Sequence, residues 1–273
     1  MLQTSKSSLL ACVLGGMVSA LCSLACEAAG TIPYGSRAGM DVTIVDKTGI
    51  NTADAVIQVR HTRENAHQYC DEYLGDPSES CVTRTLREVR ISDAIKGNCP
   101  AGRFVNLAGE YMQFAGPHLD RDAVPNRPEY RIYRNGAKEF LDGSTASGYA
   151  INLEQFRTLC PDVFFKAEHA FSARPKFIGR WYIDDKKVCR DLEDVPEGLL
   201  IYKAREFIGL ESSCAIKSAK ANGPRYEILM SCHGEGMALG ASREILEVKG
   251  DKLERTTSDG KKAMKFTYTR CPY

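Results

Sequence analysis

Residues 214–232 read Cys214-Ala-Ile-Lys-Ser-Ala-Lys-Ala-Asn-Gly-Pro-Arg-Tyr-Glu-Ile-Leu-Met-Ser-Cys232. Apolar and polar side chains alternate along both arms, the pattern of strands with one buried face. Between the arms, Asn222-Gly223 is a turn dipeptide, because both residues tolerate the left-handed backbone that a tight turn requires. Folding the arms about Ala221–Gly223 brings Cys214 opposite Met230–Cys232, so a bridge between adjacent strands is the pairing this hairpin favours.

The pattern continues on both sides. Arg180–Ile183, Gly198–Tyr202, Glu206–Leu210, Ala241–Val248, Lys252–Thr256 and Lys262–Arg270 read as further strands. Lys249-Gly250-Asp251 and Ser258-Asp259-Gly260 stand where hairpins turn. Short strands in this number predict a small all-β antiparallel barrel over residues 178–273, whose closure removes exposed edges. Cys189 and Cys271 would then join its first and last strands.

Upstream the signals are mixed. Met40–Val45 and Ala55–Arg60 alternate like strands, and Thr62 can cap a helix running to about Leu74, where Leu74-Gly75-Asp76-Pro77 breaks it. A second helical segment lies somewhere between Glu79 and Lys96. Two hairpins follow: Phe104–Leu107 with Glu110–Phe114, and Tyr130–Tyr133 with Lys138–Leu141 about Asn135-Gly136. Asn152 and Gln155 have the spacing of a capping box at the start of a short helix. Residues 31–170 therefore read as an α+β domain, 171–177 as a linker, and 178–273 as the barrel. A single domain with bridges crossing the boundary is the alternative.

The chain has 273 residues and a formal net charge of +1, with 36 basic and 35 acidic side chains. Such a balance does not steer a protein to nucleic acid or to an anionic membrane. Lys6 is the only charge before Glu27, and Leu9–Ala25 is an apolar run of secretory length. Ala28-Ala29-Gly30 supplies small residues for cleavage after Gly30, which predicts a signal peptide over 1–30 and a periplasmic or secreted product with no transmembrane segment left after processing. A retained anchor and a lipidated Cys26 are the alternatives.

Eight of the 11 cysteines remain beyond that segment: Cys70, Cys81, Cys99, Cys160, Cys189, Cys214, Cys232 and Cys271. An even set in an exported chain implies a disulfide-stabilised fold. The absence of any C-x-x-C pair argues against zinc. Cys70 and Cys81 flank the Leu74–Pro77 turn, which favours that pair and leaves Cys99 with Cys160. Each set of four still permits three pairings.

At Gly179-Arg180-Trp181 the second half resembles the start of a lipocalin or calycin barrel. That resemblance implies a Gly-x-Trp on the first strand, packed at the barrel floor against an arginine from the last strand, here Arg270. The chain as a whole is similar to exported two-domain proteins of alphaproteobacteria in Ile95–Phe104, Gly143–Gly148, Leu159-Cys160-Pro161 and the Gly179-x-Trp181 region. This second resemblance implies compartment and layout, and no activity.

Catalytic patterns are sparse. Gly143-Ser-Thr-Ala-Ser-Gly148 has the wrong spacing for a nucleophile elbow and reads as a polar loop. His233-Gly234-Glu235-Gly236 places a histidine and a carboxylate on one glycine-rich loop, an acid–base possibility set against a plain strand connection. Asp120-Arg121-Asp122 partly resembles a calcium loop but lacks its turn glycine and closing glutamate, and reads as a solvated loop. No cofactor, metal or nucleic acid is expected. The expected role is non-enzymatic binding of a small ligand or a cell-envelope component, since barrel mouths favour ligands. The alternative is a protein–protein module such as a lysozyme inhibitor, because Ser147-Gly148-Tyr149 partly resembles the Ser-Gly-x-x-Tyr loop of such inhibitors.

Overall fold

The alternating segments form strands, and the strands form two antiparallel systems in succession along the chain. The structure, a computed structural model, describes residues 30–124, 126–191, 195–234, 236–258 and 262–272. The proposed signal sequence up to residue 29, Cys26 and Glu235 lie outside the described residues.

The first system is a seven-stranded meander of β1 (Thr31–Pro33), β2 (Asp41–Thr48), β3 (Ala55–Arg60), β4 (Ala94–Asn98), β5 (Arg103–Val105), β6 (Tyr111–Pro117) and β7 (Tyr130–Arg134). Helices α1 (Arg63–Glu72) and α2 (Glu79–Glu88) form a hairpin between β3 and β4. Thr62 caps α1 reciprocally with Asn65, and Ser78 caps α2 by accepting from the Cys81 amide. Satisfying these otherwise orphaned amides is what starts each helix where it does. Ala66, Cys70, Cys81 and Val82 make a small core of their own under this hairpin.

Helices α3 (Tyr149–Leu159) and α4 (Pro161–Ser172) pack on the sheet. Phe156 of α3 stacks on Phe114 with ring centroids 4.3 Å apart and lies 5.4 Å from Phe104. Three expectations change here. Asn152 and Gln155 do not open α3, which starts at Tyr149 after Gly148. Both are buried and tie the helix to the sheet: Asn106 donates to Asn152 at 2.8 Å, while Gln155 joins the Leu107 amide to the Pro33 carbonyl. Lys138–Leu141 makes only a bridge between Tyr133 and Phe140, because Lys138 and Glu139 are exposed and give a strand little to bury. The helical segment expected between Glu79 and Lys96 is α2, and β4 follows it before Lys96 is passed. The segment 171–177 is no free tether, because α4 runs to Ser172 and Phe177 is buried in the second core.

The second system is a closed eight-stranded barrel: β8 (Gly179–Tyr182), β9 (Leu199–Tyr202), β10 (Glu206–Gly209), β11 (Ser212–Asn222), β12 (Arg225–Gly234), β13 (Met237–Lys249), β14 (Lys252–Ser258) and β15 (Ala263–Arg270). Each strand pairs with its sequence neighbour, and β15 returns to β8. Closure pairs every edge. β11 and β12 turn about Asn222-Gly223, and Cys214 stands directly opposite Cys232. Sulfurs lie at bonding distance in Cys70–Cys81, Cys99–Cys160, Cys189–Cys271 and Cys214–Cys232, from 2.03 to 2.09 Å. These are the pairs that the spacing favours, and they suit an oxidising environment. Among the described residues, no helix is long and apolar enough to cross a membrane.

Candidate functional site

One end of the barrel is shut. Trp181 is fully buried and donates its indole N–H to the Phe177 carbonyl at 2.8 Å. The Arg270 guanidinium lies 4.1 Å from the centre of the Trp181 ring, a cation–π contact, and donates to the Ile178 carbonyl at 3.0 Å. Gly179 suits this floor: its φ is +148°, a backbone conformation other residues rarely adopt, and a Cβ there would stand 2.6 Å from an Arg270 nitrogen, which would have to move.

Residues of the first half seal the same end. Asp120–Val124 is not a solvated loop but a 3-10 turn docked on the barrel. Ala123 joins the barrel core, Asp120 accepts from the Ala204 amide, and Asp122 pairs with Arg174 and, at 3.8 Å, with Arg270. Sequence reasoning missed this role because its partners are far away along the chain. A charged Asp-Arg-Asp run looks locally like any exposed turn.

Above the floor, the interior is filled. Tyr202, Phe207, Tyr226, Ile228, Met230, Leu246 and Leu253 pack there, with Phe177 inserted from the chain entering β8. Within this apolar filling sits a carboxylate. Glu244 is only 3% exposed and accepts from the Tyr202 hydroxyl at 2.8 Å, from Arg255 Nε at 2.9 Å and from a terminal nitrogen of Arg255. Burial opposes charge on Arg255, but the hydrogen bonds and negative charge of Glu244 outweigh it and raise the guanidinium pKa. Burial first, and then the Glu244 charge, keep the Tyr202 phenol well above its usual range and therefore protonated.

Toward the other end, the inner face of the strands is less covered. Cross-strand partners share a face, and the register aligns Leu253 with Tyr268, Arg255 with Phe266, and Thr257 with Met264. Leu253 and Tyr268 point inward, so Phe266 and Met264 do too. Yet Phe266 is 37% and Met264 is 42% exposed. Ser242 continues the inner face of β13 beyond Glu244, opposite Met230 of β12. Phe266 and Met264 thus stand on the inner face of the strands beyond the Glu244–Arg255 pair, where β15 is paired with β14 while its ladder to β8 is confined to Thr269 and Arg270.

His233 stands on the outer side of the rim, opposite Ser213, beside a depression of about 590 Å³ that includes Gly209, Leu210 and Gly236. Its intended partner Glu235 lies outside the described residues. Ser147 and Tyr149 do not make a projecting loop: Tyr149 begins α3, and its hydroxyl accepts from the Tyr130 amide at 3.0 Å. Burial pushes that phenol up to about 12. Among the described residues, no group of His, Cys, Asp and Glu is arranged to hold a metal ion. No protein-family model, curated protein or solved structure matches this chain.

His118 sits in the segment that seals the floor, and Arg127 donates to its Nε2 at 2.8 Å. Burial, then the charges of Arg127 and Arg131, hold this imidazole below the usual histidine range, with Asp120 acting weakly the other way. The unfolded chain therefore takes up the proton first as pH falls below about 6.5. The stability contributed by neutral His118 is present above that pH and lost as pH falls through the folded value. His118→Gln is expected to flatten the stability difference between about pH 7 and pH 5. Urea midpoints at both values check this; an unchanged difference would clear His118 of the effect.

Proposed function

We propose that the chain is an exported, two-domain, non-enzymatic binding protein that holds a small ligand, or a small part of a cell-envelope component, in the less covered end of its barrel. The carrying observation is the pair Phe266 and Met264, which face inward while remaining exposed. Apolar side chains lining a concavity are what a ligand covers favourably, at about 25 cal/mol per Å² of apolar surface removed from water. The closed floor beneath Trp181 supports this reading, because a barrel shut at one end retains a guest better than a channel. Four cysteine pairs at bonding distance and the Lys6–Gly30 pattern support export.

The test is native mass spectrometry on protein recovered from an oxidising periplasm, followed by denaturation. A bound mass that leaves on denaturation is the expected result, and the denatured mass reports cleavage near Gly30. The variant Met264→Lys/Phe266→Lys adds charge only at the β15 wall and is expected to weaken capture tenfold or more, about 1.4 kcal/mol. The apolar dye anilinonaphthalene sulfonate gives a second readout. Wild-type protein that is recovered bare and leaves the dye unbound would sink the reading.

A further inference from the structure

Beneath the barrel floor, where residues 121–122 and 126–127 meet β8 and Cys271, a cleft of about 260 Å³ is lined by Arg121, Arg127 and Arg180, with Asp122 and the Cys189–Cys271 pair. The acidic groups there are already engaged. Asp122 is held by Arg174 and Arg270, and Glu129 pairs with Arg121 at 2.9 Å. Among the described residues, no carboxylate lies within salt-bridge distance of Arg127 or Arg180.

Arg180 is the less ordinary of the two. It is 5% exposed, yet its Nε has no hydrogen-bond partner among the described residues. A terminal nitrogen donates to the Asp191 carbonyl, a neutral acceptor. Burial lowers its pKa, and the Asp191 charge only partly offsets this. Arg127 has a neutral partner as well, because a guanidinium can only donate and His118 Nε2 must accept. Two guanidinium groups with neutral partners thus face one confined space. A buried donor without an acceptor is costly, and an arriving anion removes that cost.

We propose that this cleft binds a compact oxyanion, a phosphate or carboxylate group, gripped by the guanidinium groups of Arg127 and Arg180. Planar guanidinium forks match paired oxygens, and the restricted access of water strengthens the attraction. The volume suits orthophosphate or a small carboxylic acid and excludes a lipid tail. The site is independent of the barrel's other end and would join the two halves of the chain through one ligand.

Calorimetric titration tests this with inorganic phosphate and, separately, succinate, at ionic strength held constant with sodium chloride. Saturable binding of at least one probe is expected. Arg127→Gln, at an exposed position that folding tolerates, should weaken it about tenfold or more, as should Arg180→Lys, which keeps the charge but loses the fork. Met264→Lys should leave it unchanged. Absence of saturable binding, or binding indifferent to Arg127→Gln, overturns the proposal. Binding that appears only in a Glu193→Gln/Asp194→Asn variant also overturns it, by assigning the cleft to the chain's own carboxylates.

Discussion

Glu244→Leu is expected to destabilise the protein by about 3–5 kcal/mol, the range for breaking a buried ion pair from one side. The Glu244 carboxylate serves two donors inside the barrel, the Tyr202 hydroxyl and the Arg255 guanidinium. Removing it leaves the Arg255 charge, whose side chain is 17% exposed, with the face of Phe207 in place of an anion. The Tyr202 phenol loses its acceptor too. Removing both charges is different: Glu244→Leu/Arg255→Met should recover most of the loss, because neither desolvated charge remains. Urea titration followed by the fluorescence of Trp181, the only tryptophan, measures both. Equal losses in the single and double variants, or a single-variant loss below about 1 kcal/mol, would mean that the pair is solvated in solution.

The second large effect belongs to the seam that closes the barrel. β15 meets β8 through only two aligned residue pairs, Thr269 with Tyr182 and Arg270 with Trp181. Cys271 follows β15 directly, and Cys189 lies in the 3-10 turn Lys186–Arg190 after β8, so their bridge clamps a ladder as short as any in the barrel, matched only by β9 with β10. It also spans the longest separation of the four, 82 residues against 11 for Cys70–Cys81. In the chain-entropy model, Cys189→Ala/Cys271→Ala costs about 4–5 kcal/mol, against about 3 for the Cys70/Cys81 equivalent. Hydrogen exchange should report opening at β8 and β15 first. If the two double variants lose equal stability, the clamp does not hold the seam.

The legible part of this fold was local. All eight barrel strands could be placed because alternation has a period of two and Asn222-Gly223 or Lys249-Gly250-Asp251 punctuates it within a few residues. The helices α1 and α2 were visible for the same reason, through Thr62 and the break after Leu74. β4 was hidden because Ala94–Asn98 is too short to show a period, and α4 because Cys160-Pro161 reads equally as a stop and as a helix start. Asn152 and Gln155 misled for a physical reason. The same amides that cap a helix can also satisfy buried backbone from its interior, and only burial separates the two uses.

The candidate sites were less legible than the fold. His233 was conspicuous in the sequence and stands on the outer rim, whereas Phe266 and Met264 looked like ordinary strand residues. No pattern in β15 marks where an inward face stops being covered; that depends on how far the neighbouring strands extend and how much side-chain volume fills the floor. Arg180 and Arg127 are 53 residues apart and belong to different halves of the chain, so no local spacing connects them. The sequence by itself determined the strands, their turns and the favoured pairs Cys70–Cys81 and Cys214–Cys232, because those depend on contacts between residues no more than 18 apart in the chain. Only the tertiary structure decided that Asp120–Val124 seals the barrel, that Glu244 and Arg255 share its interior, and that two arginines face one cleft. Each of those outcomes depends on volume, burial and charge supplied by segments remote in the chain.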